Sequence, residues 1–389
     1  MITLRPGSHV LWLIQVLATV GELPLGSAYL FGNDRTWRRL INRLTENQEF
    51  RFPDTDERMT CKLLQIRTAG KLKSVRFYKG ALPLLNAVDE DAYRYYMDAF
   101  YQHQLPGDAA HIERNHRVAE AVLMCMNAGI EARPMRLPRL QNNRITRLVP
   151  DSPSFYLGKE LKKIRDTELN KTMFSRVVGM VSFPGCCYAV YNSRAALMKW
   201  NGMGEFKTLH SLTEAARLNA GITEIDSAIL LGADMGVALR TIRESEKNRR
   251  LEFRFDGIYR HIHFVPMTIF GIRLMKLLTT ADWRSDLLDL LFDSSDRSYD
   301  QGRFEYDACV DGVYVYSHLD GDIARLIRFG QALQTQTLQT QKGEFEVLCF
   351  PEQVPLLREY LGKRVRLKLI GMDLVEAELC PERRSLFEG

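Results

Sequence analysis

Residues 35–45 restrict the fold of this chain more than any other stretch. Trp37, Leu40, Ile41 and Leu44 recur there at i, i+3, i+4 and i+7, which gathers them into one apolar stripe of a helix. At about 100° per residue, Arg35, Arg38, Arg39, Asn42 and Arg43 fall on the opposite face. Gly32-Asn33-Asp34 stands just before, a glycine for the turn and an Asx residue placed to cap the helix. An outer face of four Arg and one Asn has the chemistry to lie in a DNA major groove, because Arg chelates guanine, Asn chelates adenine and both grip phosphate. A solvated surface helix presents the same residues, so this helix alone leaves both readings open.

The flanking sequence weighs toward the groove. Ser8 is a good N-cap, and Val10, Leu11, Leu13, Ile14, Leu17 and Ala18 follow at helical spacing until Gly21. Pro24 and a short apolar piece at 25–31 come next, so the order is helix, short helix, turn and new helix, that of a helix-turn-helix. After a strand-like run at 48–52 and an acidic loop at 54–57, residues 61–68 and 72–78 flank Ala69-Gly70-Lys71 in a hairpin pattern. Between Cys61 and Lys79 there are six basic residues, Lys71, Lys73 and Arg76 among them, and no acidic ones. A basic hairpin behind a recognition helix reads as a wing that tracks phosphates, while an ordinary cationic edge hairpin is the competing account. Charge distribution agrees with the wing. Residues 1–85 hold 13 Lys/Arg against 7 Asp/Glu, more than the whole net charge of +5, so the rest of the chain carries no positive excess.

Residues 81–102 and 115–128 read as helices that connect this unit to the remainder of the chain. His116, Met124, Cys125 and Met126 on the second are read as packing residues and not as a metal or redox site. The order of winged helix, basic hairpin and a helix opening Asn115-His116-Arg117-Val118-Ala119 and closing Asn127-Ala128-Gly129-Ile130-Glu131 resembles the replication-relaxation family of winged-helix proteins. The likeness covers residues 8–131. It implies a protein of plasmids or integrative conjugative elements, acting in replication, transfer or regulation of element DNA beside element-encoded replication or transfer proteins. The run at 188–207 is also similar to proteins of such elements, and no activity comes with it.

Between Arg133 and Arg147 five arginines share fifteen residues with no acid, and Pro134, Pro138 and Pro150 mark an exposed linker whose charge would extend a DNA footprint or be simply solvated. Beyond residue 156, runs at 186–191, 228–232, 261–265, 313–316, 345–350 and 365–370 read as strands. They alternate with helical runs at 205–219, 236–248, 270–279, 283–292, 321–334 and 351–361. Alternation of this kind implies an α/β domain with a largely parallel sheet. The expected organisation is a winged helix-turn-helix at 1–80, a helical connector at 81–132, a basic Pro/Arg linker at 133–155 and an α/β domain at 156–389.

The α/β part contains no dinucleotide-binding glycine fingerprint, P-loop, zinc-protease or nucleophile-elbow motif. Glu205-Phe206-Lys207, with Asp226 or Asp234 as a second carboxylate, is the nearest approach to a divalent-metal nuclease, but Glu205 reads better as the start of a helix. His261 and His263 share one strand face and read as paired strand histidines. Asp311, His318, Asp320 and Asp322 surround a strand end and its turn, as a helix cap does. No catalytic residue, metal ligand or cofactor is assigned. Seven scattered cysteines without a Cys-x-x-Cys fit a reducing cytoplasm, and neither a signal peptide nor a membrane span is read. The expected partner is double-stranded DNA, with a nuclease targeted by the winged helix and a protein interaction module as alternatives. Oligomeric state is not expressed in the sequence.

Overall fold

Asn33 and Ser8 cap the two helices that frame the N-terminal unit. Helix α1 (His9–Val20) starts where the Ser8 side chain accepts from the Leu11 N–H, and α2 (Asp34–Leu44) starts where Asn33 accepts from the Thr36 N–H. The computed structural model describes residues 1–52, 57–105, 107–141, 143, 147–164, 176–198, 200, 202–250, 254–298, 305–337 and 344–380. Asp54 and Asp56 of the expected acidic loop, and Asn142 and Arg144 of the expected linker, lie outside them.

Strand β1 (Ile2–Thr3) precedes α1, and β2 (Glu22–Pro24) follows it after Gly21. Gly21 has φ +78°, and a methyl group there would lie 2.6 Å from the Phe100 ring, so both backbone and packing demand glycine. A 3-10 segment (Leu25–Phe31) leads to α2. The expected strand after α2 forms as β3 (Gln48–Arg51), but it pairs with a separate β4 (Arg58–Cys61) and with β1, making a small sheet of its own. The basic hairpin is β5 (Leu64–Ala69) and β6 (Leu72–Phe77), and β6 also pairs antiparallel with β2, giving the order β2-β6-β5.

The first connecting helical stretch is two helices, α3 (Leu82–Val88) and α4 (Glu90–Ala99). Asp89 breaks them with extended backbone and then caps α4 by accepting from the Ala92 N–H. Helix α5 (Ala109–Asn127) begins earlier than its apolar periodicity suggests, because Asp108 caps it. Every residue from Ala119 to Met126 is buried. One side of α5 packs on β2 and the 3-10 segment, and the other on a five-stranded sheet.

That sheet contains β7 (Ser154–Leu157), β8 (Val177–Phe183), β9 (Cys186–Arg194), β10 (Ser227–Gly232) and β11 (His261–Pro266), in chain order across the sheet. Helix α6 (Gly158–Lys162) follows β7, α7 (Gly202–Ala220) joins β9 to β10, and α8 (Met235–Lys247) joins β10 to β11. Strands β9, β10 and β11 run parallel, whereas β7, β8 and β9 are antiparallel. All residues of β8, β10 and β11 are buried, as expected of strands covered on both faces.

After α9 (Ile269–Leu278) and α10 (Trp283–Leu291) comes a second sheet of β12 (Ala308–Val310), β13 (Val313–Ser317), β14 (Glu344–Cys349) and β15 (Arg366–Leu369). Helices α11 (Ile323–Thr337), α12 (Val354–Leu361) and α13 (Met372–Leu379) follow β13, β14 and β15 in turn. The α/β class is as expected, but the one largely parallel sheet is two mixed sheets. Tight turns make each sheet mixed: Pro184-Gly185 joins β8 to β9 and Asp311-Gly312 joins β12 to β13 too closely for a crossover, with Phe183 paired to Cys186 and Val310 to Val313.

The larger core cluster takes residues from Leu4 to Val375 and includes α1, β6, α5, β8, β9 and α9. The basic linker lies along this body. Arg133 forks onto Glu131 at 2.9 and 2.7 Å, Arg136 pairs with Asp89, and Gln141 exchanges two hydrogen bonds with the Asn219 side chain. Among the described residues, no helix is long and apolar enough to cross a membrane.

Candidate nucleic-acid interface

Helix α2 is held by an aromatic cluster. The Trp37 ring stacks on His9 at 4.8 Å and lies 4.6 Å from Phe31 and 5.1 Å from Trp12, and its indole N–H donates to the Phe31 carbonyl at 3.0 Å. Trp37, Ile41 and Leu44 are buried. This fixes the rotation of the helix about its axis. Arg35, Arg39, Asn42 and Arg43 are consequently exposed, and Arg38 is half-buried. Arg38 donates to Asp34 at 2.7 Å and Arg43 to Gln48 at 3.2 Å, so these two have protein partners that a ligand would replace.

Of the three hairpin residues, two stand free of the body. Lys71 and Lys73 are exposed at the tip, where Gly70 takes φ +60° to close the two-residue turn. Arg76 does not join them. It lies opposite buried Glu22 in the β2–β6 pairing, and its Nε is buried without a hydrogen-bond partner. Burial pushes its guanidinium below its usual range, and the nearby positive charge of Arg67 adds to this. Strand β6 is central in its sheet and covered on both faces: Val75 and Phe77 are buried on one, and on the other Ser74 shares a 2.7 Å hydrogen bond with His116 of α5. Period-two reading sets Arg76 on the face opposite Val75 and Phe77, and that this face is covered by α5 is not visible in the strand itself.

The polar residues of the α/β part are drawn together at two places. His261 and His263 of β11 meet the turn after β13, where His263 and Asp322 form a bridge. The His261 Nδ1 lies 2.6 Å from Asp322, whose carboxylate also accepts from the Ile262, Ala324 and Arg325 N–H groups. Burial alone would raise the Asp322 carboxyl, but the hydrogen bond from His261, the two imidazoles and the Ile262 N–H hold it well below the carboxylate range. Burial pushes His263 down, and His318 down to about 4. Asp322 therefore caps α11 while docking β11, a role that unites residues far apart in sequence. Asp311 stands apart from them, in the turn joining β12 to β13 at φ +50°.

Glu205 lies in the first turn of α7. It is buried, with one oxygen on Arg176 at 3.0 Å and the other accepting from the Tyr191 hydroxyl at 3.1 Å. Burial raises its carboxyl, and Arg176 counters. Both oxygens are thus engaged, away from any strand pairing with Lys207. Among the described residues, no group of three or more His, Cys, Asp or Glu side chains is arranged to hold a metal ion.

A third polar node is not legible in sequence. Glu120 of α5 accepts from Ser27 at 2.6 Å and Asn192 at 3.1 Å and pairs with Arg194 at 3.0 Å, tying the 3-10 segment before α2 to the end of β9. No protein-family model, curated protein or solved structure matches this chain. The site residues therefore rest on their geometry.

Proposed function

We propose that this chain binds double-stranded DNA, with α2 in the major groove and the β5–β6 tip along the neighbouring phosphates. The observation that carries the reading is the exposed set Arg35, Arg39, Asn42 and Arg43 on a helix whose opposite face is locked into the core. The order α1, β2, 3-10 segment, α2 and hairpin, with strands arranged β2-β6-β5, supports a winged helix-turn-helix as the scaffold. In this reading Lys71 and Lys73 serve phosphates, and Arg76 serves the fold. The resemblance to the replication-relaxation family would place the activity in the cytoplasm, on the DNA of a plasmid or conjugative element, with element-encoded replication or transfer proteins as further partners. Engagement of both Glu205 oxygens gives the metal-nuclease alternative no support.

Fluorescence anisotropy with labelled duplexes tests the proposal. Affinity should fall with salt, log K against log[salt] having a slope of about −0.9 per phosphate neutralised. Absence of duplex binding at low salt would sink it.

A further inference from the structure

A cavity of about 320 Å³ opens between the end of α1, the first half of α5, the β7–α6 junction and the start of β8. It takes no residue from α2 and joins the N-terminal unit to the five-stranded sheet. Arg114, Arg117, Lys159, Lys162 and Arg176 line it, against one acid, Glu113. Its apolar wall is Val20, Phe100, Val118 and Val178.

Several of these cations already have partners within the protein. Glu113 pairs with Arg117 at 3.0 Å and Glu205 with Arg176 at 3.0 Å. The Lys159 ammonium rests on aromatic faces, 4.2 Å from the centre of the Phe100 ring and 4.7 Å from that of Tyr95. Burial pushes Lys159 down to about 7, and burial with the neighbouring Arg114 charge also pushes Lys162 down. The Arg117 Nε is buried and has no hydrogen-bond partner. Five basic side chains against one acid make the lining electropositive, a setting that draws an anion.

The volume is too large for inorganic phosphate alone and falls in the range of small-ligand sites. An apolar wall beside a cationic rim suits a ligand that is flat and apolar at one end and anionic at the other. We infer that this cavity binds a nucleoside phosphate, its base against Val20, Phe100 and Val118 and its phosphate on the side of Arg114 and Lys162. The ligand is either a free nucleotide or the terminal nucleotide of a single strand, and the site does not depend on duplex binding by α2.

Isothermal titration of the full chain with ADP, adenosine, inorganic phosphate and a 5′-phosphorylated single-stranded oligonucleotide distinguishes the cases. ADP binding at least tenfold tighter than both adenosine and phosphate identifies a free nucleotide; the same preference shown only by the phosphorylated oligonucleotide over its unphosphorylated form identifies a strand end. The pair Arg114→Ala and Lys162→Ala, at an exposed and a half-buried position, should weaken that binding at least tenfold with thermal stability kept. Arg35→Ala, Arg39→Ala and Arg43→Ala together should leave it unchanged, which separates this site from α2. The inference is overturned if neither ADP nor the oligonucleotide binds at millimolar concentration, if phosphate alone binds as well as ADP, or if the Arg114/Lys162 variant binds like the parent.

Discussion

The Ser27 hydroxyl donates to the Glu120 carboxylate at 2.6 Å, across 93 residues of sequence and inside the core. Because Glu120 also holds Asn192 and Arg194, one buried carboxylate joins the segment before α2, the long helix α5 and the end of β9. Glu120→Ala leaves the Arg194 guanidinium without its ion-pair partner and is expected to cost about 3 kcal/mol. Ser27→Ala removes one hydrogen bond to a charged group and should cost about 2 kcal/mol. Urea unfolding of the two variants measures both, and equal, negligible losses would contradict a joining role.

Under the proposed DNA-binding role, exposure separates the arginines that should matter from those that should not. Arg35→Ala, Arg39→Ala and Arg43→Ala combined are expected to remove most duplex affinity and to flatten the salt slope by about 0.9 for each phosphate no longer neutralised. Thermal unfolding of the triple variant should match the parent, since these side chains are exposed. Arg76→Ala should leave the salt slope intact. Anisotropy titrations at several salt concentrations compare them, and a slope lowered by Arg76→Ala alone would contradict the placement of that side chain.

Two buried histidines should make the protein lose stability as the pH falls below about 6.5. Burial, reinforced by the Arg194 charge, pushes His116 down to about 4, and burial pushes His318 to the same value. An unfolded histidine titrates near 6.5, so the unfolded chain binds more protons between about pH 6.5 and 4. The stability from keeping these rings neutral is fully present above that window and lost as pH falls through it, at up to about 3 kcal/mol each. Unfolding free energy measured from pH 7.5 to 4.5 should fall. His116→Gln, which retains a donor for Ser74, should make the fall shallower; an unchanged pH profile would count against the assignment.

Gly271 sits where α9 leaves β11, and a methyl group there would lie 1.7 Å from the Pro266 carbonyl oxygen. Backbone cannot yield as a side-chain tip does. Gly271→Ala should therefore cost about 3 kcal/mol, the upper end of ordinary overpacking. Calorimetry checks this, and a melting temperature within a degree of the parent would show that the helix start can shift.

Local periodicity makes much of the fold legible. The caps at Ser8 and Asn33, the Trp37–Leu44 stripe and the β5–β6 hairpin depend on neighbours within a few residues, and each expected strand at 186–370 has its counterpart. The β7 and β8 strands escape such reading although Phe183-Pro184-Gly185-Cys186 holds a turn signal, because the two share no alternating pattern: both are buried throughout. The outer face of α2 can be placed from its own stripe. Arg76 cannot be placed by charge counting, because its surroundings are decided by α5, forty residues later. The Glu120 node and the His261–Asp322 contact lie further still beyond sequence reading, since each is made by partners 60 or more residues apart.

The buried stretch of α5 has a consequence for inheritance. Residues 119–126 serve as interior for the N-terminal unit and for the five-stranded sheet at once. Genes commonly trade DNA-binding heads at exposed joints, where few contacts cross. Here a replacement head would have to arrive with a surface that fits the same helix, side chain for side chain. If α2 reads DNA as proposed, changes in preference are expected to accumulate by substitution on its outer face, with the head and the body descending together.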